Sequence, residues 1–160
     1  MKATDMSDQH VRDHIELEQL VAAYALAIDA KDWARLDKVF TSDAQLDYSS
    51  SGGDDAKGDW PTIRAWLQQN LAMFPMTQHV VGKSVIALDG DSAHCITQFH
   101  NPMGVPIDDE GFFDEKGSGL HVFVVGGTYH DDCVRTDDGW RISAKCEQQL
   151  FMTGGFPSFR

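Results

Sequence analysis

The stretch MTQHVVGKSVIALDG, from Met76 to Gly90, is where the sequence pattern of this chain changes. Apolar and polar residues alternate through its second half, which is the period of a half-buried β-strand. Before Pro75 the apolar residues follow a helical period instead. One residue stands out at the apolar start of the predicted strand. His79 carries a ring that can gain or lose a proton near neutral pH.

Three helices are predicted upstream of this stretch. Over residues 8–28, apolar residues recur at close to the 3.6-residue spacing of an amphipathic helix. Asp32 is placed to cap a short second helix. Asp59 is placed to cap a third, with Pro61 in its first turn, where a missing N–H costs little. Between the second and third helices, the segment QLDYSS at 45–50 predicts a brief strand.

Downstream of the stretch, the period of two continues in further predicted strands. Asp-Gly pairs at 89–90 and 138–139 predict tight turns between neighbouring strands. Residues 101–118 contain three glycines, two prolines and an acidic run, and they are predicted to form a long loop over the rest of the chain. The predicted strands span residues 77–88, 93–100, 120–135 and 140–152.

Helices followed by a meander of strands indicate an α+β fold. A curved, mostly antiparallel sheet around three packed helices forms an open cone that can take a small apolar ligand. A chain of 160 residues can bury one core, so we predict a single domain over residues 1–160. The run HVFVVGG at 121–127 has apolar side chains on both strand faces, which predicts a sheet covered on both sides, as in an oligomer.

Composition argues against several classes of partner and cofactor. The formal net charge is −12 and no Lys/Arg-rich run occurs, so nucleic acid and membrane surfaces are not expected partners. No segment approaches the roughly 20 apolar residues that span a bilayer. Three cysteines without a CxxC spacing predict a cytoplasmic protein with no disulfide framework. No metal-ligand or nucleotide-binding motif occurs, so neither a metal nor a cofactor is predicted.

Three segments, in this order, resemble the SnoaL-like branch of the nuclear transport factor 2-like superfamily, whose fold is a cystatin-like α+β cone. They are AYALAIDAKDWARLDKVFTSDAQLDY, TQHVVG and GGTYHDDCVRTDDGWRIS. Within the superfamily, the chain is similar to scytalone dehydratase, bile acid 7α-dehydratase and hexachlorocyclohexane dehydrochlorinase. The resemblance implies a cofactor-independent lyase, either a dehydratase or a dehydrohalogenase, or an isomerase, acting on a small apolar cyclic or aromatic metabolite. It also implies that the oligomer is a homodimer or homotrimer.

The superfamily also contains polyketide cyclases and proteins without catalytic activity, because one fold hosts many functions. The alternative function is therefore a ligand-binding or subunit-assembly module, of which the small subunits of ring-hydroxylating dioxygenases are an example.

The resemblance implies that Asp29, in AIDAKDW, and His79, in TQHVVG, form the catalytic pair. A neutral imidazole acts as a general base when a carboxylate holds its other nitrogen. Asp29 ends the first predicted helix, where the negative end of the helix dipole disfavours a carboxylate, so this position suits a functional role. The structural alternatives are that Asp29 caps the following turn and that His79 is a partly buried ring with satisfied hydrogen bonds.

Three further residues are candidates for substrate binding. Tyr24 and Tyr48 match tyrosines of the related dehydratases, although Tyr24 also lies on the apolar side of the first helix, where core packing is the alternative. The resemblance implies a second acidic group after a proline, but alignment on Pro102 places Met103 at that position. His100 lies nearby, three residues before Met103, and is the third candidate.

Overall fold

In the computed structural model, which describes residues 7–159, the first helix, α1, spans Asp8–Asp29. Ser7 caps it, because its hydroxyl accepts a hydrogen bond from a backbone N–H of the first turn. The first turns of α1 differ from the prediction, since Val11 and Ile15 are 41% and 53% exposed. The buried apolar side chains of α1 therefore begin at Leu17 and continue to Ile28, next to the residues that matter for the site.

Three shorter α-helices and one 3-10 helix follow α1 within residues 7–159. Asp32 and Asp59 cap two of them by accepting a backbone N–H, as the sequence predicts. The strand predicted at 45–50 ends earlier, because the Asp47 carboxylate accepts hydrogen bonds from the N–H and hydroxyl of Ser49 and turns the chain into a helical turn. The helices are α2 (Trp33–Leu36), α3 (Ser49–Gly52), α4 (Trp60–Asn70) and a 3-10 helix (Leu71–Met73).

Within residues 7–159, eight strands form one sheet. They are β1 (Phe40–Asp47), β2 (Lys57–Asp59), β3 (Met76–Thr77), β4 (Val80–Val81), β5 (Val85–Asp89), β6 (Ser92–Ile107), β7 (Gly119–Thr136) and β8 (Gly139–Thr153). Their order is β2-β1-β8-β7-β6-β3, with β4 and β5 also paired to β6. β1 runs parallel to β8, and the other pairings are antiparallel. The strand predicted at 77–88 is thus three short strands, and His79 lies in the first gap.

The loop predicted at 101–118 is wrong at its start, because β6 continues to Ile107 and stays paired with β7 throughout. The carbonyls of Pro102 and Pro106 accept hydrogen bonds from segments on the side of β6 away from β7. In a strand, the N and O of one residue point to the same side, so the missing N–H of each proline also faces away from β7. The loop is confined to residues 108–118.

Two one-residue bulges bend β8 against β7. One lies at Leu150, opposite the pair Gly126 and Gly127, where the sequence predicts a bulge or bend. A Cβ added to Gly127 would lie 2.0 Å from the carbonyl oxygen of Gln148, so glycine is needed for this close approach of the two strands.

The second bulge, at Ser143, decides which side chains of β8 face inward. Ser143 has no partner on β7, because the neighbouring residues Ile142 and Ala144 pair with consecutive residues of β7. Simple alternation from Ile142 would place the even-numbered residues inside. The bulge reverses the alternation, so that Lys145 and Glu147 are buried on the inner face.

The helices and the inner face of the sheet enclose one apolar core, and the cone remains open, as the sequence predicts. The outer face carries exposed apolar side chains, among them Val85 at 72% and Leu150 at 68% exposure. No contact with a second chain is described, so the homodimer or homotrimer stays a prediction. Among residues 7–159, no helix combines the length and the apolar character needed to cross a membrane.

Candidate active site

A cavity of about 330 Å³ lies between α1, α4 and the inner faces of β6, β7 and β8. Its apolar wall consists of Ile28, Trp66, Leu67, Leu71, Met73, Phe74, Phe99, Met103, Phe123, Val125, Met152 and Phe156. Its polar groups are Tyr24, Tyr48, Ser51, Asn70, His79, Asn101, Glu147 and Gln149. An apolar wall with a few polar groups of this kind suits a small organic ligand.

The structure brings Asp29 and His79 together, although they are 50 residues apart in sequence. His79 Nδ1 lies 2.6 Å from Asp29 Oδ1, and the His79 backbone N–H donates to Asp29 Oδ2 over 2.8 Å. The ring lines the cavity, whereas the carboxylate lies behind the ring and outside the cavity wall. The meeting point is the end of α1 and the gap between β3 and β4.

The protonation state of the pair follows from its hydrogen bonds. Burial raises the pKa of Asp29, but the ring, charge and backbone N–H of His79, together with the Thr77 hydroxyl, outweigh burial and hold the pKa below its ordinary value. A carboxylate can only accept hydrogen bonds, so Nδ1 of His79 carries the proton. Nε2 of the neutral ring is then an acceptor, and the amide Nδ2 of Asn101 donates to it over 3.0 Å.

Asn101 is a site residue that sequence reasoning missed. It lies on the inner face of β6, where alternation from Phe99 to Met103 would have placed it had the strand been predicted to continue. Its side chain is buried, and within residues 7–159 its Oδ1 has no hydrogen-bond partner. Asn101 lines the cavity beside His79, and a buried amide oxygen without a partner is a group that a hydrogen-bond donor would satisfy.

His100, in contrast, does not belong to the site, and its predicted role in substrate binding is wrong. The side chain is exposed on the outer face of the sheet, where its ring centroid lies 6.5 Å from that of Phe151. Neighbouring residues of a strand point to opposite faces, so Asn101 takes the inner position and His100 the outer one. Met103 contributes only an apolar surface to the cavity wall.

The two predicted tyrosines both line the cavity. The hydroxyl oxygens of Tyr24 and Tyr48 lie 3.1 Å apart. Burial raises the pKa of both phenols, so both remain neutral hydrogen-bond donors. One hydroxyl donates to the other within the pair, which leaves one O–H of the two to donate either to the Tyr129 hydroxyl beside Tyr24 or to a ligand.

Similarity to known proteins agrees with this architecture. The sequence model of the SnoaL-like domain matches residues 9–145. The chain belongs to the SnoaL-like domain family. An uncharacterised protein of Mycobacterium tuberculosis is 38% identical to this SnoaL-like chain over 146 residues, which are 91% of each protein. The predicted family resemblance is therefore confirmed.

Two solved structures share the fold of this SnoaL-like chain. A proposed scytalone dehydratase from Novosphingobium aromaticivorans superposes with a TM-score of 0.77 and 14% identity, covering 96% of this chain and 97% of that one. A hexachlorocyclohexane dehydrochlorinase from Novosphingobium barchaimii gives a TM-score of 0.70 and 14% identity, with coverage of 89% and 90%. At such identities the similarity establishes the fold, and the activity must be argued from the site.

Beneath Tyr24, the SnoaL-like chain buries an ion pair that sequence reasoning did not identify. Lys145 Nζ donates to the two carboxylate oxygens of Asp131 over 2.9 and 3.2 Å. The same Nζ lies 4.0 Å from the ring centroid of Tyr24 and 3.7 Å from that of Tyr129. Burial raises the pKa of Asp131 despite the neighbouring ammonium. The pair does not line the cavity, but its ammonium packs against the ring of Tyr24, which does.

Glu147 is a second residue of β8 that sequence reasoning did not identify. Within residues 7–159 it is the single carboxyl group that lines the cavity. Ser51 donates its hydroxyl to Oε1 of Glu147 over 2.5 Å. Burial raises the pKa of Glu147, against the opposing effects of the Ser51 hydroxyl and of the charges of Lys145 and His79. The residues described contain no group of three or more histidine, cysteine, aspartate or glutamate side chains arranged to hold a metal ion.

Proposed function

We propose that this SnoaL-like protein is a general-base lyase or isomerase acting on a small, largely apolar cyclic metabolite. The observation that carries the proposal is the hydrogen-bonded series Asp29–His79–Asn101, which ends at the wall of an apolar cavity. A second His–Asp pair, His94 with Asp132 at 2.7 Å, lies on the exposed outer face of the sheet, outside this cavity.

In the proposed reaction, His79 Nε2 removes a proton from a carbon next to a carbonyl group, replacing the hydrogen bond that Asn101 now makes to this nitrogen. Asp29 keeps the ring in the tautomer that exposes Nε2 and stabilises the imidazolium that forms. The Tyr24 and Tyr48 pair donates a hydrogen bond to the substrate carbonyl oxygen, where negative charge develops. Return of the proton to another carbon gives isomerisation, whereas departure of a neighbouring group gives elimination. The structural neighbours named as a dehydratase and a dehydrochlorinase favour elimination.

Proton exchange tests this proposal without knowledge of the natural substrate. Wild-type protein should accelerate the exchange of the α-protons of cyclohexanone in deuterated water, measured by NMR. His79→Ala should reduce the accelerated rate by about 10²- to 10⁴-fold, the usual contribution of a general base. The matched control is His94→Ala, which removes the exposed ring of the other His–Asp pair and should leave exchange unchanged. Equal rates for the wild type and His79→Ala would refute the proposal.

A further inference from the structure

The cavity holds an acidic group that the proton abstraction by His79 does not use. Glu147 is 8% exposed and lies on the inner face of β8. Within residues 7–159, the Ser51 hydroxyl makes the one hydrogen bond donated to its carboxyl group, and that bond is to Oε1. The second carboxyl oxygen is therefore available to a molecule in the cavity.

Glu147 and His79 lie on different sides of this cavity. The His79 ring is hydrogen-bonded to Asn101 on β6, whereas Glu147 is on β8, with β7 between these two strands. Two inter-strand spacings amount to roughly 9–10 Å, and Glu147 is also offset along the strands, because it pairs through Tyr129 with Thr97, four residues before Asn101. Both side chains still line the one cavity, and the charge of His79 is close enough to lower the pKa of Glu147. A small ring bound between them can therefore present one carbon to His79 Nε2 and a substituent of a neighbouring carbon to Glu147.

The surroundings of Glu147 favour the protonated carboxyl. Burial is the largest influence on its pKa and raises it. The groups that oppose burial are the Ser51 hydroxyl on α3, the Lys145 ammonium on β8 and the His79 ring. The Lys145 ammonium is already held by Asp131 on β7. A carboxyl group whose pKa is raised in this way is better matched to donate a proton near neutral pH.

We infer that Glu147 is the proton donor to the leaving group, and that the substrate is a cyclic ketone with a hydroxyl group on the carbon β to its carbonyl. The inference rests on the proposed function, because it requires His79 as the base. It also makes the reaction a dehydration. A halide leaves as a stable anion without a proton, whereas a hydroxyl group departs readily only as water, so a buried proton donor is useful for the second kind of substrate.

The atoms and charges of this step balance. His79 Nε2 takes the α-proton, and the electron pair of the broken C–H bond forms the new C=C bond. The C–O bond to the hydroxyl breaks as its oxygen receives the proton of Glu147, and water leaves. The site is then an imidazolium and a carboxylate. Transfer of one proton from His79 to Glu147, through water that enters as the product leaves, restores the starting state.

Glu147→Gln separates this role from that of His79. The probes are racemic β-hydroxycyclohexanone, whose dehydration to cyclohexenone is followed by ultraviolet absorbance, and cyclohexanone, whose α-proton exchange reports His79 alone. Glu147→Gln should reduce the dehydration rate by about 10²- to 10⁴-fold and leave the exchange rate close to that of the wild type. The matched control is Glu115→Gln, at an exposed glutamate of the loop after β6, which should leave both rates unchanged.

A second variant keeps the test valid if Glu147→Gln does not fold. Ser51→Ala removes a hydrogen bond that lowers the pKa of Glu147, so dehydration should persist to higher pH than in the wild type before it declines. If the dehydration rate of Ser51→Ala declined at the same alkaline pH as that of the wild type, the role of Glu147 would be overturned.

The remaining outcomes also distinguish the two proposals. Exchange without dehydration in the wild type, or dehydration that survives Glu147→Gln, would overturn the inference and leave the general-base function intact. Absence of both exchange and dehydration in the wild type would overturn both.

Discussion

Asp29 and Asp131 each have a nitrogen partner at hydrogen-bond distance, and they differ in what surrounds them. Asp29 and His79 have side chains that are 20% and 8% exposed, and the ring forms part of the cavity wall. Asp131 and Lys145 are both 0% exposed, and two tyrosine rings cover the ammonium. The first pair adjoins the cavity and the second does not. Access to the cavity, rather than ion pairing itself, is therefore the reason for proposing a catalytic role for the first pair and a structural role for the second.

The largest effect on stability is expected from breaking the buried ion pair of Asp131 and Lys145. Lys145→Met should lower the free energy of unfolding by about 3–5 kcal/mol, because it leaves the Asp131 carboxylate buried without its partner. Urea denaturation measures this change. Adding Asp131→Leu should recover most of the loss, since an apolar pair of similar volume leaves no buried charge.

Lys57→Met provides the exposed control for this experiment. Lys57 forms an ion pair with Asp47 at 2.6 Å, but its side chain is 65% exposed. Water and salt screen such a pair, so its removal should change stability little. If Lys145→Met lowers the free energy of unfolding no more than Lys57→Met does, the Asp131–Lys145 pair does not stabilise the fold. Its contrast with the Asp29–His79 pair would then fail.

A smaller effect is expected from changing the Asp29–His79 pair, and it should appear in the reaction rate rather than in stability. Asp29→Asn should slow cyclohexanone exchange by about 10–100-fold, the order of loss seen when a metal-ligating histidine loses the group that orients it. The amide no longer stabilises the imidazolium, although it keeps the shape of the carboxylate. Asp132→Asn, beside the exposed His94, is the matched control and should not change the rate. An unchanged rate in Asp29→Asn would show that the carboxylate has no part in catalysis.

The smallest effect is expected in the pH dependence of stability, where the two carboxylates have opposite signs. The pKa of Asp29 is lowered by folding, so its contribution is fully present above the unfolded value of about 3.9 and is lost as pH falls toward the folded pKa. The pKa of Asp131 is raised, so protonation at acid pH stabilises the folded state relative to neutral pH.

Unfolding free energies measured in acid and at neutral pH can separate these two signs. Asp29→Asn should reduce the loss of stability in acid, because it removes a carboxylate that favours folding only when ionised. Asp131→Asn should increase the net loss, because it removes the opposing contribution. The same acid profile in both variants would contradict the difference between the two sites.

The Asp29–His79 pair could be predicted from sequence because each partner lies where the sequence pattern changes. The helical period ends at Asp29, and the strand period begins around His79. The family resemblance aligned both residues, and α1 delivers one to the other. The α+β class and the cone follow from the same change of period, which local sequence records directly.

Asn101 could not be predicted, because the prolines and glycines after His100 indicate a loop when sequence is read locally. Pro102 and Pro106 are compatible with β6 because their missing N–H groups face away from β7, and only the tertiary arrangement of strands reveals this. Ending the strand at His100 left that residue as the nearest candidate, although its side chain points to the opposite face of the sheet.

Lys145 and Glu147 were missed for a different reason. Alternation from Trp140 and Ile142 assigns them to the outer face, and nothing in the local sequence marks Ser143 as the residue that reverses it. A bulge of one residue depends on pairing with the neighbouring strand, which a period of two does not encode.

The Ser143 bulge also determines how this strand tolerates changes in length during evolution. Deletion of Ser143 would give a regular strand in which Lys145 and Glu147 still face inward, since the extra residue alone is lost. Insertion of one residue directly after Ala144 would turn both of them outward and bring Cys146 and Gln148 into the cone. A relative that is one residue shorter in this strand can thus keep the same side chains facing the interior. In an alignment, a gap placed at Ser143 matches those inward-facing residues correctly.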